Sequence, residues 1–167
     1  MAIVQPGEVA DREAIREAVA AYAHGVDRLD GEWMKRAYWP DATDDHGVFV
    51  GNAWEFVDRC MGSHGRWRST MHCTFNHTIE FDSPTCARGE VYNVSYLFRA
   101  DTPTFETWYG RYLDQYEKRG TEWRILYRVC VHEGSTVAPT PEPMPIDWGR
   151  FRSGSFDRPS NGRPVGP

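Results

Sequence analysis

The chain has 167 residues, 40% hydrophobic and 26% charged, with a net charge of −5 at pH 7. That is the make-up of one globular domain with room for a core and a pocket. Its scattered basic residues exclude a phosphate-backbone interface, and no apolar run approaches the ~20 residues of a membrane span, so neither nucleic acid nor membrane is expected as a partner.

The first residues lack the basic and apolar regions of a signal peptide, so a cytoplasmic location is expected. Ile15, Val19, Tyr22, Ala23 and Val26 recur at helical spacing and predict a helix over 12–28, with Asp11 as its cap. Asp30-Gly31 breaks it, and a short helix over 32–38 precedes Pro40. The phrase Gly47-Val-Phe-Val-Gly51 reads as a short strand. Asn52 then caps a third helix carrying Trp54, Phe56, Val57 and Met61, and residues 62–68 read as a loop.

Four runs rich in Tyr, Val, Trp, Phe and Thr follow, over 70–81, 87–99, 105–118 and 122–132. The short breaks between them suit an antiparallel meander. Residues 134–167 hold seven Pro and five Gly, with one aromatic phrase around Trp148 and Phe151. The expected organisation is a domain over 1–133 and a Pro/Gly-rich tail over 134–167. Helices first and strands after predict an α+β class: a curved, mostly antiparallel sheet whose concave face is covered by three helices. Such a cone encloses a small-molecule cavity.

Several polar residues sit at the edges of these apolar elements. Asp27 ends the first helix between Val26 and Leu29, where an acid is costly to bury unpaired. His72 heads a strand, and an acid-supported imidazole is a general base near neutral pH. His72 and His77 have opposite strand parity, so an unbroken strand turns only one of them inward, taken as His72. Leu126, Arg128, Cys130 and His132 alternate onto one strand face, opposite Ile125, Tyr127, Val129 and Val131. Arg128 could steady an oxyanion or leaving group, or pair with an acid on a neighbouring strand. His46 is a second candidate acid, with Asp45 placed to orient it. Tyr22, Tyr92, Asn93, Tyr96, Trp108 and Tyr112 are candidate pocket residues, two or three of which should line it.

The six histidines form no H-x-H or H-x-x-x-H pair, and no Gly-rich phosphate loop or G-x-S-x-G elbow occurs. Metal and cofactor are therefore not expected. The four cysteines lack metal spacing and read as buried thiols.

Taken together, the helix ending Gly25-Val26-Asp27, the phrase from Tyr38 through Asp44-Asp45-His46-Gly47, the His72–Asn76–Glu80 run, and Gly110 to Glu117 followed by Trp123 and Arg128 resemble the SnoaL-like branch of the NTF2-like superfamily. That branch includes scytalone dehydratase, bile-acid 7α-dehydratase and lindane dehydrochlorinase. The resemblance implies an NTF2-like cone and an Asp/His dyad, Asp27 and His72, that removes a proton from carbon. It also matches Arg128 to the dehydrochlorinase's arginine. Where that enzyme has a lysine, five residues before the aspartate, this chain has Tyr22, which fits a phenol donor as in the dehydratases.

The function expected is a cofactor-independent lyase acting on a hydrophobic, ring-containing small molecule, by dehydration or by retro-aldol release of a small fragment. An isomerase or cyclase of polyketide or steroid type, a non-catalytic small subunit of a ring-hydroxylating dioxygenase and a ligand-binding module are the alternatives. A homo-oligomer, trimer or dimer, is expected from the apolar outer face of the last strands.

Overall fold

A computed structural model describes residues 4–140, 145–147 and 150. The first helix, α1, spans Val9–Arg28. Ile15, Val19, Tyr22 and Val26 fall on one face and are at most 3% exposed, each contributing about 1.5–3 kcal/mol by burial. The helix starts earlier than its polar signals suggest, because a 3-10 turn at Pro6–Glu8 leads directly into it. Asp11 is consequently not a cap; it takes Lys118 Nζ at 2.7 Å.

α1 ends where Leu29 turns left-handed, at φ 50°. Asp30 then caps α2, Gly31–Lys35, by accepting from Trp33 N at 2.9 Å. Gly25 lets α2 pack this close: a Cβ there would lie 2.5 Å from Met34 N. Residues 36–38 leave the helix because Tyr38 opens a strand, β1, Tyr38–Asp45. A turn through Gly47, at φ 70°, returns the chain as β2, Val50–Asn52. Asn52 caps α3, Ala53–Ser63, accepting from Trp54 N and Glu55 N.

Four long strands complete the sheet: β3 Trp67–Ser83, β4 Cys86–Arg99, β5 Thr104–Arg119 and β6 Glu122–Pro139. The order is β2-β1-β6-β5-β4-β3, antiparallel except for β1 beside β6. This is the expected α+β architecture, a curved, mostly antiparallel sheet with three helices. β6 stays paired with β5 as far as Pro139, opposite Thr104, so strand structure runs past residue 133. Trp148 and Phe151 lie outside the described residues.

The register shifts within the strands matter most for the site. β3 slips against β4 between Thr74 and His77, and β6 slips against β5 between Tyr127 and Ile125. Each such bulge adds a residue to one strand, bends it and reverses the facing that follows. The bulge in β3 turns both His72 and His77 to the concave side. In β6 it puts Trp123 and Ile125 in the core on the same side as Arg128, which corrects the assignment of Ile125 to the outer face.

Candidate active site

A cavity of about 540 Å³ opens between α1, α3 and the concave face of the sheet. Of the candidate residues, Tyr22, His46, His72, Trp108 and Tyr112 line it. The wall also includes Phe56, Arg59, His64, Trp67 and His132.

Asp27 and His72 meet. Asp27 Oδ1 lies 2.6 Å from His72 Nδ1. The carboxylate also accepts from His72 N and Thr70 Oγ1, each at 2.8 Å. An acid in the last turn of a helix opposes the helix dipole, so these donors are what hold Asp27 there. Burial acts to raise its carboxyl, but the bonds and charge from His72, with Thr70, outweigh that and hold it below the ordinary carboxylate value. With Nδ1 donating to the carboxylate, the other ring nitrogen, Nε2, is the one with a lone pair for the cavity.

A second relay faces the same space. Tyr22 Oη lies 3.2 Å from His46 Nε2, and His46 Nδ1 is hydrogen-bonded to Asp44. Asp44 is fully buried and also accepts from Tyr38 Oη at 2.6 Å. The His46 ring stacks on Phe56 at 4.1 Å. Burial pushes the Tyr22 phenol well above its ordinary value, against a smaller opposing pull from Arg128. Tyr22 is therefore a protonated donor at neutral pH. Asp45 does not orient His46: β1 alternation turns Asp44 inward, and Asp45 Oδ1 instead accepts from Gly47 N at 2.9 Å.

Arg128 does not line the cavity, which corrects its assignment to an oxyanion or leaving group. It is fully buried, and its Nε and Nη2 both donate to Asp114 at 2.7 Å. Asp114 also accepts from Tyr116 Oη at 2.7 Å, and that hydroxyl is 3.1 Å from His77 Nε2. The guanidinium carbon lies 4.5 Å from the Tyr22 ring centre and 4.0 Å from that of Tyr112. Arg128 thus supports the two phenols from beneath by cation–π contact.

Three other candidates also fall away from the cavity wall. Tyr92 and Tyr96 alternate with the inward residues of β4 and face the outer side; Tyr92 is 48% exposed. Asn93 points inward but is buried beneath the wall, with Nδ2 donating to Ser95 Oγ at 3.1 Å.

His64 is a cavity residue that sequence reading missed, because it lies in a segment with no periodicity. Its Nδ1 is 3.0 Å from Cys60 O. Burial first, then the charge of His72, pulls its pKa down to about 4, so it is neutral at pH 7. Burial pushes the thiols of Cys60 and Cys130 up to about 12, which keeps both protonated. Among the described residues no group of three or more His, Cys, Asp or Glu could hold a metal ion, and no helix is long and apolar enough to cross a membrane.

Solved structures share this fold at low identity. A hexachlorocyclohexane dehydrochlorinase, LinA-type3, from Novosphingobium barchaimii LL02 matches with a TM-score of 0.73 and 19% identity, over 83% of this chain and 97% of that one. A protein named as a candidate scytalone dehydratase from Novosphingobium aromaticivorans DSM 12444 matches with a TM-score of 0.70 and 19% identity, over 77% and 88%. A candidate aromatic ring hydroxylase from the same species matches with a TM-score of 0.70 and 20% identity, over 82% and 96%. No curated protein sequence matches the chain. The model of the SnoaL-like domain matches residues 7–129, most of the cone and both relays, and on that match the chain belongs to the SnoaL-like family, with the NTF2-like fold.

Proposed function

We propose that this protein is a cofactor-independent lyase that removes a proton from carbon and expels a leaving group from a ring-containing small molecule. The observation that carries the reading is the Asp27–His72 pair, 2.6 Å apart, with His72 in the wall of a cavity that a protonated phenol also lines and Asp27 behind it. An elimination needs a base for the carbon acid and an acid for the departing group. His72 Nε2 is the base, and Asp27 holds the ring's tautomer and stabilises the imidazolium that forms. Tyr22 is the acid. Its proton goes to the leaving oxygen; the phenolate that forms recovers a proton from solvent, and His72 gives its proton up to solvent, as the product leaves.

The solved relatives named as a dehydratase and a dehydrochlorinase are compatible with an elimination. Trp108, Phe56 and Tyr112 supply flat apolar walls, which suits a ring in the substrate. A retro-aldol cleavage would use the same base on a hydroxyl proton instead, the electrons of the broken C–C bond passing to the remaining fragment, whose carbon Tyr22 would protonate.

The test is a screen of hydroxylated aromatic and alicyclic compounds in the presence of EDTA, with product mass as the readout. Loss of water or of a one-carbon fragment, abolished in His72→Ala, is the expected result. A product of unchanged mass would replace the lyase by an isomerase. Full turnover by His72→Ala would end the dyad mechanism.

A further inference from the structure

The cavity wall is cationic in an acidic protein. The chain carries a net charge of −5, yet among the described residues those lining the cavity include Arg59 and Arg66 and no Asp or Glu. Many arginines elsewhere are matched by acids, as Arg12 by Glu8, Arg88 by Glu80, Arg111 by Glu90 and Arg128 by Asp114, and others such as Arg36 and Arg68 lie over aromatic rings. Arg59 and Arg66 form no ion pair among the described residues. Both are exposed, so they stand where the cavity opens, Arg59 on α3 and Arg66 just after it. The neighbouring Lys35 is already taken by Asp58 at 2.7 Å.

We propose that the substrate carries a carboxylate, bound by Arg59 and Arg66 at the cavity mouth while its ring lies inward against Trp108 and Phe56. This assignment deepens the lyase reading and rests on it. Two arginine forks with no internal acid offer charge-assisted hydrogen bonds to a carboxylate, and among the described residues the acids nearest the cavity, Asp27 and Asp44, are already held by His72 and His46. The low-dielectric aromatic walls below focus their field into the cavity. An anion held at the mouth also fixes which end of the molecule reaches His72, a positioning function that a hydrophobic cleft alone lacks.

The test is calorimetric titration of the whole chain with naphthoate, cinnamate and biphenylcarboxylate, each paired with its uncharged carboxamide, and with naphthyl phosphate. At least one acid should bind about fivefold to tenfold more tightly than its amide, an advantage that shrinks with added salt. In the Arg59→Gln/Arg66→Gln variant the acid should fall to the level of the amide while amide binding is unchanged, which also shows that the cavity is intact. Equal binding of every acid and amide, an acid preference that survives in the double variant, or no binding by any acid overturns the proposal. A phosphate bound better than its carboxylate counterpart overturns the assignment to a carboxylate. The same titrations on His72→Ala separate this from the catalytic reading, since they need no turnover.

Discussion

Asp27 accepts two hydrogen bonds from a single residue, His72: one from its backbone N and one from its ring, at 2.8 and 2.6 Å. The carboxylate therefore fixes both the strand and the imidazole that stands on it. Without Asp27 the ring loses the partner that sets its tautomer. His72→Ala should lower turnover about 10²–10⁴-fold with the fold intact, as expected for a general base. Asp27→Asn should also lose activity, because an amide cannot stabilise an imidazolium and can reverse the tautomer. Steady-state kinetics with circular dichroism checks both; a loss of activity caused by unfolding would show in the spectrum.

Tyr22→Phe tests the acid. The cut in turnover should be about 10²-fold or more for substrates with poor leaving groups and small for good ones. A uniform loss across a leaving-group series would assign Tyr22 to binding instead.

The Arg128–Asp114 pair has no solvent exposure. Arg128→Met should cost about 3–5 kcal/mol of stability by leaving Asp114 charged and unpaired, and Arg128→Met/Asp114→Leu should recover much of it. Urea melts measure this. A single variant as stable as the parent would show that Asp114 finds another partner.

Stability should fall on acidification in two steps. His77 is about 4 in the folded protein, chiefly through burial, against an ordinary value of 6.5. The unfolded chain binds the proton first, so this contribution is present above about pH 6.5 and is lost as pH falls toward 4. The depressed carboxyl of Asp27 adds a loss below its ordinary value of 3.8, as pH falls through its folded value. His64, also held at about 4 chiefly by burial, contributes to the same step, so His77→Gln should shrink the upper step and leave the lower one. Denaturant melts between pH 7 and pH 4 that give the same slope for both proteins would contradict this.

Met71, Tyr92, Tyr109 and Leu113 are 38–50% exposed on the sheet face away from the cavity. An apolar face of this kind is usually covered, and a second copy of the chain is the proposed cover. Light scattering should give a dimer or trimer, and Leu113→Lys should shift it toward monomer. A monomeric parent at micromolar concentration would remove the proposal.

Local chemistry was enough to read much of this protein. The helical period of Ile15, Val19, Tyr22 and Val26, the Asn52 cap and the aromatic, β-branched strand runs depend only on neighbours in the chain, so element order and the α+β class were legible. Asp27 and His72 were legible as an acid and an imidazole at the ends of apolar elements, and the family resemblance paired them. Tertiary structure alone decided the rest. Two bulges set which side His77 and Ile125 face, and a bulge is a property of two strands in register, invisible in either one. The choice of Asp44 over Asp45 beside His46 followed from the parity of β1 once it paired with β6. Arg128 had two possible partners in sequence, a substrate or an acid. Asp114 stands directly opposite it on β5, and a buried guanidinium takes the carboxylate within reach because leaving either charge unpaired costs more than any other arrangement.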